Sequence, residues 1–240
     1  MDVSVILPAL NEEATVGMVV EHLRRAGSYE MIVVDNGSCD RTSQVAAASG
    51  ATVVQEPRRG YGAACLAGVR AATGTVLCFM DADGSFEAGD IPSLVTPIME
   101  SRAELVLGSR ALAGGTAGAV LAHQRMGNLL ATWLLRACCG LHVTDLGPFR
   151  AVRRSALRRL QMSEMTYGWP IEMMIKAHRM GFRVVEVPVF CHPRAGGQSK
   201  VSGTIKGSLL AGFHIVKVII RHRAWRIGGD AEEDGVCDEV

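Results

Sequence analysis

No stretch of this 240-residue chain approaches the ~18 consecutive apolar residues that a membrane-spanning helix needs. None of its seven cysteines forms a CxxC pair, and none of its seven histidines falls at an HxxxH spacing. That argues against a zinc site. The cysteines (Cys39, Cys65, Cys78, Cys138, Cys139, Cys191 and Cys237) lie scattered, several in apolar runs, and read as reduced core residues of a cytosolic protein. No signal peptide is expected, because the chain enters a strand almost at once. No internal repeat is visible. The last 13 residues, Gly228 to Val240, hold six acidic side chains and no Lys or Arg, the composition of a disordered tail. Without them the count is 25 basic against 18 acidic, a body of +7 where the whole chain is +1. Such a body suits an anionic substrate or an anionic surface; nothing points to nucleic acid.

What is present is a regular alternation. Short apolar runs at Val3 to Leu7, Met31 to Val34, Ala51 to Gln55, Val76 to Met80 and Leu105 to Gly108 read as strands. Helical stretches separate them, at roughly Glu12 to Ala26, Arg41 to Ser49 (with Asp40 as N-cap), a small-residue segment to about Ala72, and one capped by Asp90. This order predicts a mainly parallel α/β sheet flanked by helices. The second half is less regular. It offers a hinge-like stretch at Gly114 to Gly118, a helix from His123 to Cys139 with an apolar face, and a segment from Asp145 that returns to the sheet. A helix from Pro170 to Arg179, a strand from Val184 to Val189, a basic loop from Arg194 to Lys200 and a last helix from Ser202 to Arg226 complete it. In that last helix Leu209, Phe213, Val216 and Ile220 recur at helical spacing, with Lys217, Arg221, Arg223 and Arg226 adding charge.

Ligands of such sheets bind beyond the carboxyl ends of the strands. Those ends carry Asn11, Asp35, Arg59, Asp81, Asp83 and Arg110, a one-sided clustering that predicts an active site. The central strand is the most telling, because a fully apolar run stops in Asp81-Ala82-Asp83. Two carboxylates at the tip of a buried strand are costly unless something positive sits against them. Hard oxygen ligands there suit Mg²⁺ or Mn²⁺ with water and phosphate oxygens completing the shell; a solvated Asp-Gly turn is the plainer reading of an isolated pair.

Taken together, the pieces resemble the family-2 glycosyltransferases of GT-A fold, and within them the polyprenyl-phosphate (dolichyl-phosphate) sugar synthases. The resemblance spans about residues 3 to 207. It rests on Leu7-Pro8-Ala9-Leu10-Asn11-Glu12-Glu13, Val33-Val34-Asp35-Asn36-Gly37-Ser38 with Asp40 and Thr42, Arg59-Gly60-Tyr61-Gly62, the Asp-Ala-Asp, Gly108-Ser109-Arg110, Asp145 to Arg150, and Gly197-Gln198-Ser199-Lys200. It implies one GT-A domain over residues 1–227, with a nucleotide-binding half to about 110 and an acceptor half from about 111, followed by the tail at 228–240. It implies that Asp35 holds the base or ribose of a nucleotide diphosphate sugar, in a pocket lined by Pro8, Leu10 and Glu12. Asp81 would touch ribose or metal-bound diphosphate, Asp83 would be the main metal ligand, and Arg194 and Lys200 would hold diphosphate oxygens. GDP-mannose and UDP-glucose both fit. The chain departs from the family at Asn36, where a second acid is usual, and at Leu146-Gly147-Pro148-Phe149 on the acceptor side.

The implied reaction is inverting hexose transfer. An anionic lipid-phosphate acceptor needs no base, and Arg110 and Arg125 are candidates to hold it; Arg125 reads equally as a solvated helix residue. A hydroxyl acceptor needs a base, for which Asp145 and Glu172 are candidates. Asp145 could instead cap a turn, and Glu172, at the start of a helix, suits the helix dipole. No QxxRW motif of processive polysaccharide synthases is present, and Pro8-Ala9-Leu10-Asn11 is not the glycine-rich loop expected of a nucleotidyltransferase. A non-catalytic nucleotide-sugar-binding module would have no need of the Asp81/Asp83 pair. The expected location is the cytoplasm, with peripheral association at the membrane face where cations of the last helix would meet anionic lipid; the apolar positions of that helix read equally as packing on the sheet.

Overall fold

A computed structural model describes residues 2–114, 122–196, 215–222 and 225. Its centre is a seven-stranded sheet: β1 (Val3–Ala9), β2 (Glu30–Asp35), β3 (Thr52–Gln55), β4 (Val76–Phe79), β5 (Leu105–Ser109), β6 (Arg150–Arg153) and β7 (Val184–Pro188). The order is β3-β2-β1-β4-β6-β5-β7. β1 pairs in parallel with β2 and β4, β2 with β3, and β5 with β7; β6 alone runs antiparallel, wedged between β4 and β5. The helices are α1 (Val16–Ala26), α2 (Thr42–Ala48), α3 (Tyr61–Ala71), α4 (Ile91–Met99), α5 (Ala122–Cys139), α6 (Arg154–Leu160) and α7 (Trp169–Arg179).

The strands read as continuous apolar runs because both faces are covered. With side chains alternating along a strand, Val5, Leu7, Val33, Val76 and Cys78 enter one core with α1 and α4. Ile6, Ile32, Val34, Leu77 and Phe79 enter a second with α3, α5, α6 and α7. Helix α3 can lie close to the sheet because it is built of small residues. A Cβ on Gly68 would stand 2.4 Å from Ile6 Cγ2, closer than packed carbon atoms tolerate.

Several expectations need correction. Helix α1 begins at Val16, not Glu12, because the Glu12 carbonyl accepts the Thr15 and Val16 amides in a turn that keeps Glu12 at the sheet edge. Asp90 stands at the N-cap position of α4, but its carboxylate makes no capping bond and instead accepts the Phe190 amide at 2.9 Å. Of the six described cysteines, Cys65, Cys78, Cys139 and Cys191 are buried, but Cys39 and Cys138 are exposed. In the last helix, residues 215–222 bury Val218, Ile219 and His222 and expose Val216 and Ile220, so the stripe read from spacing is not the packed face there. The glycine stretch beyond Gly114, the loop from Gly197 through Lys200, Leu209, Phe213, Arg223, Arg226 and the acidic tail lie outside the described residues.

Candidate active site

The parallel strands deliver their carboxyl ends to one edge, and the loops there are fastened to one another by side chains. The Asp35 carboxylate, buried at the end of β2, accepts the Ser38 amide at 2.7 Å and the Ser43 hydroxyl. Burial works against its charge, but these donors outweigh it and hold the carboxyl below its ordinary range. Asn11, in a left-handed turn at φ 54°, accepts the Cys39 amide at 2.8 Å and gives its own amide to the Ser38 hydroxyl at 2.9 Å. The Glu12 amide donates to Thr42 Oγ1 at 2.8 Å. Pro8 and Leu10 are half-buried on either side of the buried Ala9.

At the tip of β4, Asp83 is buried and Asp81 half-buried. Burial first, then the neighbouring Asp83 charge, push Asp81 up to about 7. The charge that answers this acidic cluster is Arg194. Its guanidinium donates through Nη1 to Asp83 Oδ2 at 2.9 Å and through Nη2 to the Glu12 carboxylate. Arg194 arrives there because the segment after β7 is laid along the Asp83 loop. The His192 amide donates to the Ser85 carbonyl at 2.8 Å and the Ala195 amide to the Asp83 carbonyl at 3.2 Å.

On the far side of β4, Arg110 and Asp145 form a pair. Arg110 Nε and Nη2 each donate to an Asp145 oxygen at 2.7 Å, and the Arg110 amide adds a third bond at 2.9 Å. Asp145 is buried, while the Arg110 side chain remains a quarter exposed. Beneath them, the Glu186 carboxylate of β7 accepts the Thr144 amide and hydroxyl, and Asn128 of α5 bonds the Thr144 carbonyl and the Leu146 amide at 3.0 Å each. Arg125 stands exposed on α5, three residues before Asn128.

The structure does not bring Glu172 into this cluster. It is fully buried in α7, where its carboxylate accepts the Ser163 amide and hydroxyl, the Glu164 amide and Lys176 Nζ at 2.8 Å. Burial alone would raise its pKa, but the bonds from Lys176 and Ser163 outweigh it and hold the carboxyl low. Its oxygens are therefore occupied, and its position is that of a structural ion pair rather than a base. Lys200 lies outside the described residues.

Three residues that shape the site were given no role in it by the sequence. Arg150 is buried at the start of β6 and donates to the carbonyls of Gly147, Pro148 and Pro170, fixing the loop after Asp145. Asn36 donates from Nδ2 to the Glu56 and Arg58 carbonyls at 2.9 and 2.7 Å and accepts the Gly60 amide at 2.8 Å, which draws the basic turn before α3 to the site. Asn128 ties α5 to the loop before β6 through Thr144 and Leu146.

Among the described residues no three His, Cys, Asp or Glu side chains form a metal cage. Asp81 and Asp83 nonetheless suit a hard divalent cation that keeps most of its shell for water and phosphate oxygens. Two carboxyl groups share a strand tip, and among the described residues it is the guanidinium of Arg194 that bonds Asp83.

A mixed sheet with an acidic pair at the tip of its central strand, facing a cation-bearing return segment, is the GT-A glycosyltransferase fold. The chain superposes with a TM-score of 0.76 and 26% identity on the crystal structure of glucosyl-3-phosphoglycerate synthase from Mycobacterium tuberculosis in complex with Mn²⁺, uridine diphosphate and phosphoglyceric acid, covering 95% of this chain and 80% of that one. Residues 4–161 match glycosyl transferase family 2, and the chain belongs to that family. It is 44% identical over 217 residues to a glycosyltransferase of Mycobacterium tuberculosis, covering 90% of this chain and 97% of the relative. It is 32% identical over 221 residues to an undecaprenyl-phosphate mannosyltransferase of Micrococcus luteus, covering 86% of this chain and 90% of that protein.

Proposed function

We propose that this glycosyltransferase moves one hexose, mannose or glucose, from a nucleotide diphosphate sugar to the phosphate of a polyprenyl-phosphate lipid, with inversion at the anomeric carbon. Asp35 binds base or ribose, with Pro8, Leu10 and Glu12 around it. Asp81 and Asp83 hold Mg²⁺ or Mn²⁺, which would supply positive charge to the leaving diphosphate. Arg194, once released from Glu12 and Asp83, and Lys200 turn to the diphosphate oxygens. Arg110, held in one orientation by Asp145, faces the acceptor phosphate, with Arg125 as a second cation. The acceptor oxygen forms the new bond to the anomeric carbon, and the nucleoside diphosphate departs with the electron pair of the old one.

The observation that carries the acceptor class is that both carboxylates read as bases are already answered by cations: Asp145 by Arg110 on both oxygens, Glu172 by Lys176. A hydroxyl acceptor needs a free base; a phosphate oxygen, already anionic near neutral pH, does not. The similarity to the undecaprenyl-phosphate mannosyltransferase supports the same reading. Incubating the protein with GDP-mannose or UDP-glucose, Mn²⁺ and a polyprenyl phosphate, and following the lipid by mass spectrometry, should give a hexosyl-phosphoryl-lipid. Transfer to soluble hydroxyl acceptors with none to the lipid phosphate would overturn it.

A further inference from the structure

Helix α5 has two faces of opposite character. On one, Ala131, Leu135 and Cys139 are buried, and Asn128 ties the helix to the Thr144–Leu146 loop. The other exposes Met126 (71%), Leu129 (67%), Leu130 (59%) and Trp133 (62%). Their spacing, i, i+3, i+4 and i+7, aligns them in one stripe. Single exposed apolar residues are ordinary; a contiguous stripe of four large ones marks a surface with a partner. Exposed Arg125 and Arg136 bracket it.

The charge around the stripe says what that partner is. From Leu105 through Thr144 the sequence has no Asp or Glu, while Arg110, Arg125 and Arg136 fall within it. Two copies of α5 packed stripe to stripe would set arginine against arginine in either direction, with no carboxylate on the helix to part them. An anionic bilayer meets both demands: acyl chains take the apolar stripe and headgroups take the arginines.

We propose that the exposed face of α5 docks on an anionic lipid bilayer. This replaces the last helix as the principal contact, since residues 215–222 expose only Val216 and Ile220 as large apolar side chains, beside Lys217 and Arg221. It deepens the lipid-phosphate reading above and rests on it for its purpose. Through Asn128 the docked helix is fastened to the loop whose Asp145 aims Arg110, so the cation offered to the acceptor is referenced to the bilayer.

The test uses the full chain and vesicles of phosphatidylcholine with and without phosphatidylglycerol. Of the three tryptophans, Trp169 and Trp225 are buried and Trp133 is exposed, so docking should shift emission to the blue through Trp133. We expect co-sedimentation with the anionic vesicles at low salt, weakened at high salt. The double variant Leu129→Glu/Trp133→Glu should lose ~10-fold or more of the bound fraction while melting at the wild-type temperature, and Trp133→Phe should bind without the blue shift. Wild type that stays in the supernatant, or a double variant that binds as wild type does, overturns the proposal. So does a solution dimer that the double variant dissolves. A short-chain, water-soluble prenyl phosphate separates the two readings. If it is turned over by wild type and double variant alike while only wild type binds vesicles, both stand. If vesicles bind but no prenyl phosphate is a substrate, the acceptor reading fails and the docking surface stands.

Discussion

The edge proposed to bind the donor and the edge proposed to bind the acceptor are assembled in different ways. On the donor side, four parallel strands end together, and short polar side chains close to those ends fasten one loop to the next: Asn11 to Cys39, Thr42 to Glu12, Asn36 to Gly60. On the acceptor side an antiparallel strand intrudes, and the loop after α5 is held by carboxylates that accept from distant segments. Arg110 meets Asp145 across 35 positions, and Glu186 reaches back to Thr144 across 42. The first arrangement is suited to a ligand common to a whole family. The second lets one pair or loop change without disturbing the loops at the ends of β1 to β4.

The comparison breaks most completely at Asp83. Asp83→Ala removes one of the two strand-tip carboxylates and the partner of Arg194 Nη1. We expect transfer to fall by about 10³-fold or more, with metal-dependent nucleotide binding lost by calorimetry. Asp35→Ala should instead weaken donor binding while leaving metal dependence intact. Full activity of Asp83→Ala with Mg²⁺ or Mn²⁺ present would remove the metal assignment.

The buried pair on α7 belongs to neither edge, and Glu172→Gln tests that. Leaving Lys176 buried without its counter-charge should cost about 3–5 kcal/mol of stability, read as a lowered Tm. The sign with pH follows from the direction of the shift. The folded carboxyl lies below its ordinary value of 4.5, so the ion pair stabilises fully above that value and loses its contribution as pH falls through the folded one. The gap in Tm between wild type and variant should therefore close in acid. An unchanged Tm with abolished turnover would return Glu172 to the list of bases.

Asp145→Asn sharpens the acceptor side. If Asp145 positions Arg110, losing the bidentate pair should cost about 10- to 100-fold in kcat/KM, and the shape of the pH–rate profile should stay as it was. A loss nearer 10⁴-fold with the acidic limb gone would mark a general base.

Much of the donor edge was legible because it is local. Apolar runs of the right length gave β1 to β5, and the polar residues ending them gave Asp35, Asp81, Asp83 and Arg110 before any tertiary contact was known. The acceptor edge was not, for physical reasons. β6 is four residues long and begins and ends in arginine, so neither length nor alternation betrays it; its place is set by β4 and β5. Glu172 and Lys176 at i, i+4 look like a surface pair, and only the turn at Ser163 and the packing of α7 make them a buried one. The apolar face of α5 was visible as a pattern, but a pattern does not say that half of it stays in water.

The smallest expected effect lies at Asn36, the amide that follows Asp35 at the end of β2. An amide is suited to what the position does here, since it must donate to two carbonyls and accept one amide at once. A carboxylate can only accept. Asn36→Asp would keep the bond from Gly60 and set a charge against the carbonyls of Glu56 and Arg58, at a cost of about 1–3 kcal/mol for the unmet partners. The turn carrying Arg58 and Arg59 would then part from the donor loops, and the donor KM should rise a few-fold while kcat on saturating donor stays near wild type. The Asn36→Ser variant, able to donate one bond, should fall between the two. A donor KM unchanged in Asn36→Asp would mean that the basic turn reaches its place without this link, and that the stitching of the donor edge stops at β2.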